Sequence, residues 1–226
     1  MKTMLVLSMG ALLLAGTLSA QTPVPEWQAG VDKMKSLIQT NPAQASEEVG
    51  ELLKGKNKKN VDLVTSVAHV YLDAGKLTEA QEYLAMAKKA NNKDPKVSVL
   101  EGDIALAQKN IGQACQLYEQ AIYFDPNCKE AYLKYAQAYK SASPALAIEK
   151  LEQLKAVDPN CLEADRELAE VYYSSNRFGK AAEMYAKFID TPLATEDDML
   201  KYAFALFLNH DFEKSLQVAQ KGLQKN

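Results

Sequence analysis

Residues 114–126 read ACQLYEQAIYFDP, and this stretch shows the pattern that decides the fold. Ala114, Tyr118 and Ala121 are spaced so that they share one face of a helix, and the helix is expected to end near Asp125-Pro126. The same spacing recurs at four other places, Ala80–Leu84–Ala87, Ala147–Leu151–Leu154, Ala181–Tyr185–Phe188 and Ser215–Ala219–Gly222. One copy predicts an amphipathic helix, whereas five copies predict a repeat protein.

Each copy is preceded by a second helical segment that has a small residue of its own. These small residues are evenly spaced to within one position, and they are Ala68, Gly102, Ala136, Ala169 and Ala203. In four of the five segments a bulky residue follows three positions later and fills the space beside the small one. A period of about 34 residues with two helical halves is typical of a helix–turn–helix repeat. The sequence therefore predicts an all-α fold, a right-handed α-solenoid of antiparallel helix pairs.

The repeated segments resemble the tetratricopeptide repeat (TPR) family. The resemblance rests on Gly75–Ala80 and Tyr118–Pro126, which are similar to that family's turn and second helix, and on its first-helix pattern at Tyr132, Tyr135, Ala136 and Tyr139. It covers residues 61–226 and is carried by five units in register. Membership would imply a TPR-like superhelix, and a non-enzymatic scaffold or adaptor that binds a protein or peptide in its concave groove.

The period also predicts where the units begin and end. Five tandem units are expected at about 61–94, 95–128, 129–161, 162–195 and 196–226. Residues 21–60 are helical in pattern but lack the repeat, and we interpret them as a divergent N-terminal helix pair that caps the array. The basic run Lys54–Lys59 is expected to be a solvated turn between this pair and the first unit.

Residues 1–20 have the pattern of a secretory signal peptide. Lys2 gives a positive start, Met4–Ala15 is apolar, and Ala20 offers a small residue at the cleavage point. The apolar stretch is shorter than the ~20 residues of a membrane-spanning helix, so no integral membrane span is expected after the signal is removed. The alternative is an uncleaved N-terminal anchor. The expected location is the periplasm or the exterior of the cell, and the cell envelope is where we expect the scaffold to act.

Composition excludes some function classes. The formal net charge is −3, which argues against nucleic acid as a partner, because phosphate binding requires a basic surface. Only two histidines are present, and neither has a second histidine or a cysteine at metal-ligand spacing on its own helix. We expect no catalytic residues, no metal and no cofactor, hence no enzyme. The three cysteines, Cys115, Cys128 and Cys161, are expected to be buried or half-buried thiols without a disulfide framework.

The resemblance also implies which side chains line the groove, because in that family one face of each first helix forms the concave surface. Carried onto this chain, the candidate groove residues are His69, Asp103, Gln137, Arg166, Glu170, Tyr173 and Phe204. Tyr and Arg often dominate binding energy at interfaces, so we expect the partner to dock around Arg166, Glu170 and Tyr173. Thr65, His69, Val99 and Asp103 stand where the family's carboxylate-clamp subclass has Lys and Asn, so this clamp is not expected.

Two other interpretations remain open at this stage. The units could mediate self-association, giving a homo-oligomer through the exposed C-terminal pair. The chain could also be the repeat region of a larger envelope complex or enzyme. Phe204 and Phe207 fit either a groove or a contact with a further unit.

Overall fold

The computed structural model describes residues 24–223, and within this range it contains twelve α-helices, one 3₁₀ helix and no β-strand. The predicted all-α fold is confirmed, whereas the predicted signal peptide at 1–20 lies outside the described residues. The α-helices are α1 (Gln28–Leu37), α2 (Pro42–Leu52), α3 (Val61–Asp73), α4 (Leu77–Asn91), α5 (Pro95–Ala107), α6 (Ile111–Phe124), α7 (Lys129–Tyr139), α8 (Pro144–Val157), α9 (Leu162–Ser174), α10 (Phe178–Phe188), α11 (Glu196–Leu208) and α12 (Phe212–Leu223).

Consecutive helices pack as pairs, and each pair packs on the next. The pairs are α1/α2, α3/α4, α5/α6, α7/α8, α9/α10 and α11/α12. We call the odd-numbered member of each pair its first helix and the even-numbered member its second helix. First helices also contact the first helix of the next pair along most of the array. This arrangement is the predicted solenoid of helix pairs.

The small residues allow the close approach of the helices. Ala68 and Ala169 on first helices are fully buried, and so are Ala80, Ala114, Ala147 and Ala181 on second helices. Large side chains fill the space between them, and Tyr118, Tyr185 and Leu151 are completely buried. In the last pair Ser215 replaces the alanine, and its Oγ donates a hydrogen bond to the carbonyl oxygen of Ala203 at 2.8 Å.

The turns inside the pairs use the left-handed backbone conformation at equivalent positions. Gly75, Lys109, Asn176 and His210 have φ values of 73°, 64°, 57° and 64°. Each occupies the same point in its own repeat, and the unit that has no such residue, α7/α8, is the one in which the sequence spacing is shortened by one position. Only glycine adopts this conformation without a steric penalty.

The N-terminal pair shares a core with the first repeated pair. Met34, Ala45 and Val49 of α1 and α2 are buried in one cluster with Leu63 and Val67 of α3. The basic run between the two pairs is not simply a turn, because Gly55–Lys59 forms a 3₁₀ helix. Its lysines are exposed, as expected. The cap role of 21–60 and the five unit boundaries remain proposals.

Candidate functional site

All seven candidate groove residues lie on first helices. His69 is on α3, Asp103 on α5, Gln137 on α7 and Phe204 on α11, whereas Arg166, Glu170 and Tyr173 are on α9. The structure brings most of them into contact with a side chain of an adjacent pair. They therefore form a series of inter-helix contacts across the array, and the chemistry of these contacts changes along it.

Asp103 is the centre of a buried polar cluster. Its side chain is 7% exposed, and its Oδ1 accepts a hydrogen bond from the Tyr118 hydroxyl at 2.7 Å. His69 Nε2 lies 3.1 Å from Asp103 Oδ2, and Lys134 Nζ lies 3.1 Å from the same oxygen. Helices α3, α5, α6 and α7, which belong to three successive pairs, are thereby tied together by one carboxylate.

These contacts decide the charge of Asp103. Burial alone would raise the pKa of this carboxyl group, but the hydrogen bond from His69, the positive charge of Lys134 and the Tyr118 hydroxyl together hold its pKa below the usual value. Asp103 is therefore ionised at neutral pH. The same cluster raises the pKa of Tyr118, mainly through burial and then through the adjacent negative charge.

Glu170 repeats this arrangement two units later in the chain. The Tyr185 hydroxyl donates to Glu170 Oε1 at 2.8 Å, and Lys201 Nζ lies 2.9 and 3.1 Å from the two carboxylate oxygens. Glu170, Tyr185 and Lys201 are thus the counterparts of Asp103, Tyr118 and Lys134 at equivalent points of the repeat. A fourth group, Lys140 Nζ, lies 3.6 Å from Glu170 Oε2.

Between these two clusters lies a contact between an amide and a carboxylate. Gln137 Nε2 donates to Glu167 Oε1 at 2.8 Å, so the amide is on the earlier helix and the acid on the later one. Asp103, Gln137 and Glu170 are therefore occupied by contacts within the chain. Lys134 and Lys201 were missed by sequence reasoning, although each follows its acid, Asp103 or Glu170, at the same separation along the chain, and this is a signal that could have revealed them.

Arg166 is fixed by Asp198 of the following pair. Its Nε donates to Asp198 Oδ1 at 3.1 Å, and its Nη2 lies 3.0 Å from Oδ2. Asp198 also forms a capping box with Thr195 at the start of α11. Taken from the sequence alone, this acid fits either a solvated helix face or the first turn of a helix; the structure shows the second, and the side chain is 1% exposed.

Aromatic rings replace these polar contacts toward the C-terminal end. Tyr173 lies 5.7 Å from Phe178 and 6.5 Å from Phe204, measured between ring centroids. The ring centroids of Phe204 and Phe207 are 6.5 Å apart, and those of Phe207 and Phe212 are 5.4 Å apart. We call Tyr173, Phe204, Phe207 and Phe212 the aromatic strip. The three phenylalanines are 50–54% exposed, whereas Tyr173 is half-buried against the core.

A second apolar surface lies on the outer side of the last pair. We define the end face by Leu216 and Leu223, which are 60% and 77% exposed. The residues of the preceding unit that correspond to Leu216 and Leu223 are Ala182 and Ile189, and both are buried. In that pair the following helix α11 packs on α10.

Within residues 24–223 no group of three or more metal-ligating side chains is found. The three cysteines are free thiols, with Cys115 and Cys161 buried and Cys128 half-buried, as predicted. Burial raises the pKa of Cys115 to about 11, so its thiol is protonated at neutral pH. None of the helices in this range combines the length and the apolarity of a transmembrane span.

Comparison with known proteins agrees with this architecture. Structures similar to this chain include PilW, a widely conserved type IV pilus biogenesis factor (17% identity, 88% of this chain and 92% of that chain, TM-score 0.67). PilF of Pseudomonas aeruginosa is similar at 17% identity, over 86% of this chain and 89% of that chain, with a TM-score of 0.64. YrrB, a TPR protein with an unusual peptide-binding site, shares 14% identity over 77% of this chain and 90% of that chain, with a TM-score of 0.55.

These likenesses establish the fold, and the sequence establishes the family. A search of curated proteins gives no significant match. The tetratricopeptide repeat model, however, matches residues 67–129 and 137–194, which is more than half of the chain. This fold is typical of scaffolds for protein–protein interaction, and the family is generally non-enzymatic. The chain belongs to the tetratricopeptide repeat family.

Proposed function

We propose that this protein is a non-enzymatic scaffold that binds a segment of a partner protein in its concave groove, with the aromatic strip as the principal contact. The observation that carries the proposal is the half-exposure of Phe204, Phe207 and Phe212 in one continuous row of rings. Burying aromatic side chains away from water is favourable, and contiguous exposed apolar surface marks interaction sites.

The other candidate groove residues have a different role in this proposal. Asp103, Gln137 and Glu170 bind side chains of adjacent pairs. Their contacts hold neighbouring first helices in register and form the floor of the groove. Binding energy would come mainly from the strip, because buried aromatic anchors usually dominate interfaces. The peptide-binding site of YrrB supports the idea that this fold can hold such a segment.

Export is part of the proposal. Residues 1–20 have the charge and apolar pattern of a signal peptide, so we place the scaffold in the periplasm or outside the cell. A pull-down from envelope extract would identify the partner. Two variants, Phe204→Ala and Phe207→Ala, should weaken capture by at least ~1 kcal/mol, since each removes a large apolar contact.

The control variant is Tyr123→Ala. Tyr123 is an aromatic residue on α6 that is 82% exposed, and it is absent from the strip. Its replacement should leave capture unchanged. All three variants should keep the melting temperature within the range of ordinary surface substitutions. Equal capture by Phe204→Ala, Phe207→Ala and the parent would refute the groove assignment.

A second candidate function is self-association through the end face. Leu216 and Leu223 are exposed at positions whose counterparts in the preceding unit are buried. The opposite end of the array exposes polar residues of α1, such as Asp32, Lys33 and Lys35, so a head-to-tail contact is disfavoured and a two-fold dimer is favoured. Light scattering at several concentrations tests this, and Leu216→Glu should abolish any dimer. A molar mass that stays equal to that of the monomer at every concentration would exclude self-association.

A further inference from the structure

A pocket opens between α11 and α12 because two core residues of the last pair are small. Ala219 and Gly222 stand where the preceding pair has Tyr185 and Phe188, and both of those large side chains are completely buried. In the last pair a cavity of about 90 Å³ is left. Its lining also includes Met199, Leu200, Val218 and Leu223. Apart from Glu196 the described lining is uncharged, and a cavity of this kind binds apolar groups.

Two rows of exposed apolar side chains flank this pocket. On α11 the row consists of Leu200, Phe204 and Phe207, whose spacing places them on one face of the helix. Leu200 is 68% exposed. On α12 the row is the end face, Leu216 and Leu223. Because Leu200 and Leu223 both line the pocket, the two rows meet there, and we call the pocket and the two rows together the terminal surface.

The preceding pair shows which kind of element covers such a surface. The three α9 residues that correspond to the α11 row are Arg166, Glu170 and Tyr173, and each of them contacts a side chain of α11. The counterparts of the end face on α10 are buried, and α11 packs on that helix as well. A single helix therefore covers both rows of the preceding pair.

The chemistry of the terminal surface differs from that of the preceding pair. Where α9 has Arg166 and Glu170, α11 has Leu200 and Phe204. A helix seated on the terminal surface therefore meets apolar side chains where α11 meets charged ones. Apolar residues must face them, because a polar group buried there would find no hydrogen-bond partner. The pocket requires one bulky apolar side chain in addition, and such anchors often dominate interfaces.

A second copy of this chain is a poorer occupant of the terminal surface. Its α12 offers one exposed apolar row, Phe212, Leu216 and Leu223, with the exposed polar residues Glu213 and Gln220 beside it. This helix could cover one row of the terminal surface, but it would place polar side chains over the other. A helix of a different protein can carry apolar residues in both rows.

We propose that the partner segment is an amphipathic helix with two adjacent apolar rows, which lies on α11 and α12 as α11 lies on α9 and α10. One of its bulky apolar side chains enters the pocket beside Ala219 and Gly222. This proposal rests on the proposed function, since Phe204 and Phe207 of the aromatic strip belong to the contact, and it names the structure of the bound segment. The thirteen residues of α11 span about 20 Å, so a partner helix of about four turns covers the surface.

The test is a selection from a phage-displayed library of random hexadecapeptides on the full chain, with the Phe204→Ala chain as counter-selection. The expected sequences carry apolar residues three and four positions apart, as on one face of a helix. A synthetic copy should gain helical circular dichroism when it binds. Proline at its centre should weaken binding about tenfold or more, whereas proline at its first position should not, because only the first turn of a helix accepts proline.

The variant Gly222→Leu tests the pocket. A Cβ atom on residue 222 would lie 3.8 Å from Met199 Sδ, which is an ordinary contact, and leucine is also the better helix former. The melting temperature should therefore stay the same or rise, while the affinity for the helical peptide falls about tenfold. Gly222→Ala should act in the same direction with a smaller effect. The control is Gly112→Leu, at an exposed position of α6 where a Cβ meets nothing within 4 Å, which should bind like the parent.

Shortening the bulky residue of the peptide to alanine shows where that residue lies. With the parent chain the shortened peptide should bind about tenfold more weakly, because a buried apolar side chain is lost. With Gly222→Leu the two peptides should bind within about threefold of each other, since the pocket is already filled and the two changes are coupled.

The other outcomes distinguish this proposal from its alternatives. Phe204-dependent peptides that tolerate a central proline would overturn the helix and leave groove binding intact. A helical peptide that binds Gly222→Leu as tightly as the parent would also overturn the proposal, because its side chain would then lie outside the pocket. A dimer that dissociates in Gly222→Leu would assign the terminal surface to a second copy instead. A library that yields no Phe204-dependent peptide would overturn both this inference and the proposed function.

Discussion

The Tyr118 ring lies against the backbone of Gly102 so closely that a Cβ atom on residue 102 would be 2.5 Å from Tyr118 Cε1. The ring is held there by its hydroxyl, which donates to Asp103 on the same helix as Gly102. The equivalent tyrosine, Tyr185, donates to Glu170, and the residue that corresponds to Gly102 is Ala169. Because Glu is one methylene longer than Asp, the second tyrosine can stay farther from its helix, and there is room for a methyl group.

Gly102→Ala should therefore destabilise the protein, although alanine is the better helix former. Overpacking a core costs ~1–3 kcal/mol, and the higher helix propensity of alanine offsets at most about 1 kcal/mol of this cost. We expect a net loss of about 1 kcal/mol in urea unfolding. The control is Gly50→Ala in α2, where a Cβ meets nothing within 4 Å and stability should rise. Adding Asp103→Glu to Gly102→Ala should recover part of the loss, whereas strictly additive effects would contradict the explanation.

The ionised state of Asp103 predicts how stability changes in acid. Its pKa in the folded protein is lowered from 3.8 by His69, Lys134 and Tyr118, against the opposing effect of burial. A carboxyl group with a depressed folded-state pKa stabilises the fold fully above its unfolded pKa, and this contribution is lost as the pH falls through the folded pKa. The free energy of unfolding should thus decline from about pH 5 downward.

Asp103→Asn should lower stability near pH 7 by about 1–3 kcal/mol, because the buried partners lose a charged acceptor. The same variant should flatten the acid decline, since one group that binds a proton on unfolding is gone. Unfolding titrations at several pH values measure both effects. Asp32→Asn, at an exposed position of α1, serves as the control and should alter neither. An acid decline as steep in Asp103→Asn as in the parent would exclude this role for Asp103.

The backbone of this fold could be predicted from the sequence because it depends on local periodicity. Small residues such as Ala136 and Ala169 recur in phase, and each helix pair needs only its neighbours to bury its apolar face. The contacts of the groove depend instead on geometry between pairs. The sequence left Asp198 open between a solvated helix face and the first turn of a helix. Its burial requires Arg166 from the preceding pair, and a single helix gives no sign of that partner.

Glu170 illustrates the same limit within the candidate site. Its position on a first helix followed from the repeat register, but its bonds to Tyr185 and Lys201 come from two other helices. The exposure of Phe204 was left open by the sequence, since an aromatic residue at that position suits either a groove or a further packed helix. In the structure Phe204 is 50% exposed.

Ala136 and Ala169 test the packing rule directly. Both are buried, with 1% and 0% exposure, at the positions where we expect the two helices of a pair to approach most closely. Replacing either by Leu should lower the free energy of unfolding by ~1–3 kcal/mol through overpacking. Thermal melting followed by circular dichroism measures the loss. An Ala145→Leu variant, at an exposed position of α8, provides the control, and unchanged melting of both core variants would contradict the rule.

Lys109 allows a gain in stability to be tested. Its φ of 64° lies in the left-handed region, where Gly75 occupies the equivalent turn at 73°. A non-glycine residue in this conformation costs ~1–2 kcal/mol, whereas glycine loses somewhat more chain entropy on folding. Lys109→Gly should therefore stabilise the protein by up to about 1 kcal/mol. The reverse change, Gly75→Ala, should destabilise it by a similar amount.

Gln108→Gly is the matched control, because Gln108 has a φ of −81° and gains nothing from glycine. The stability of the protein should therefore fall in this variant. If Lys109→Gly lowered the midpoint of urea unfolding as Gln108→Gly does, the left-handed turn would carry no strain and this explanation of the recurrent turn would be wrong.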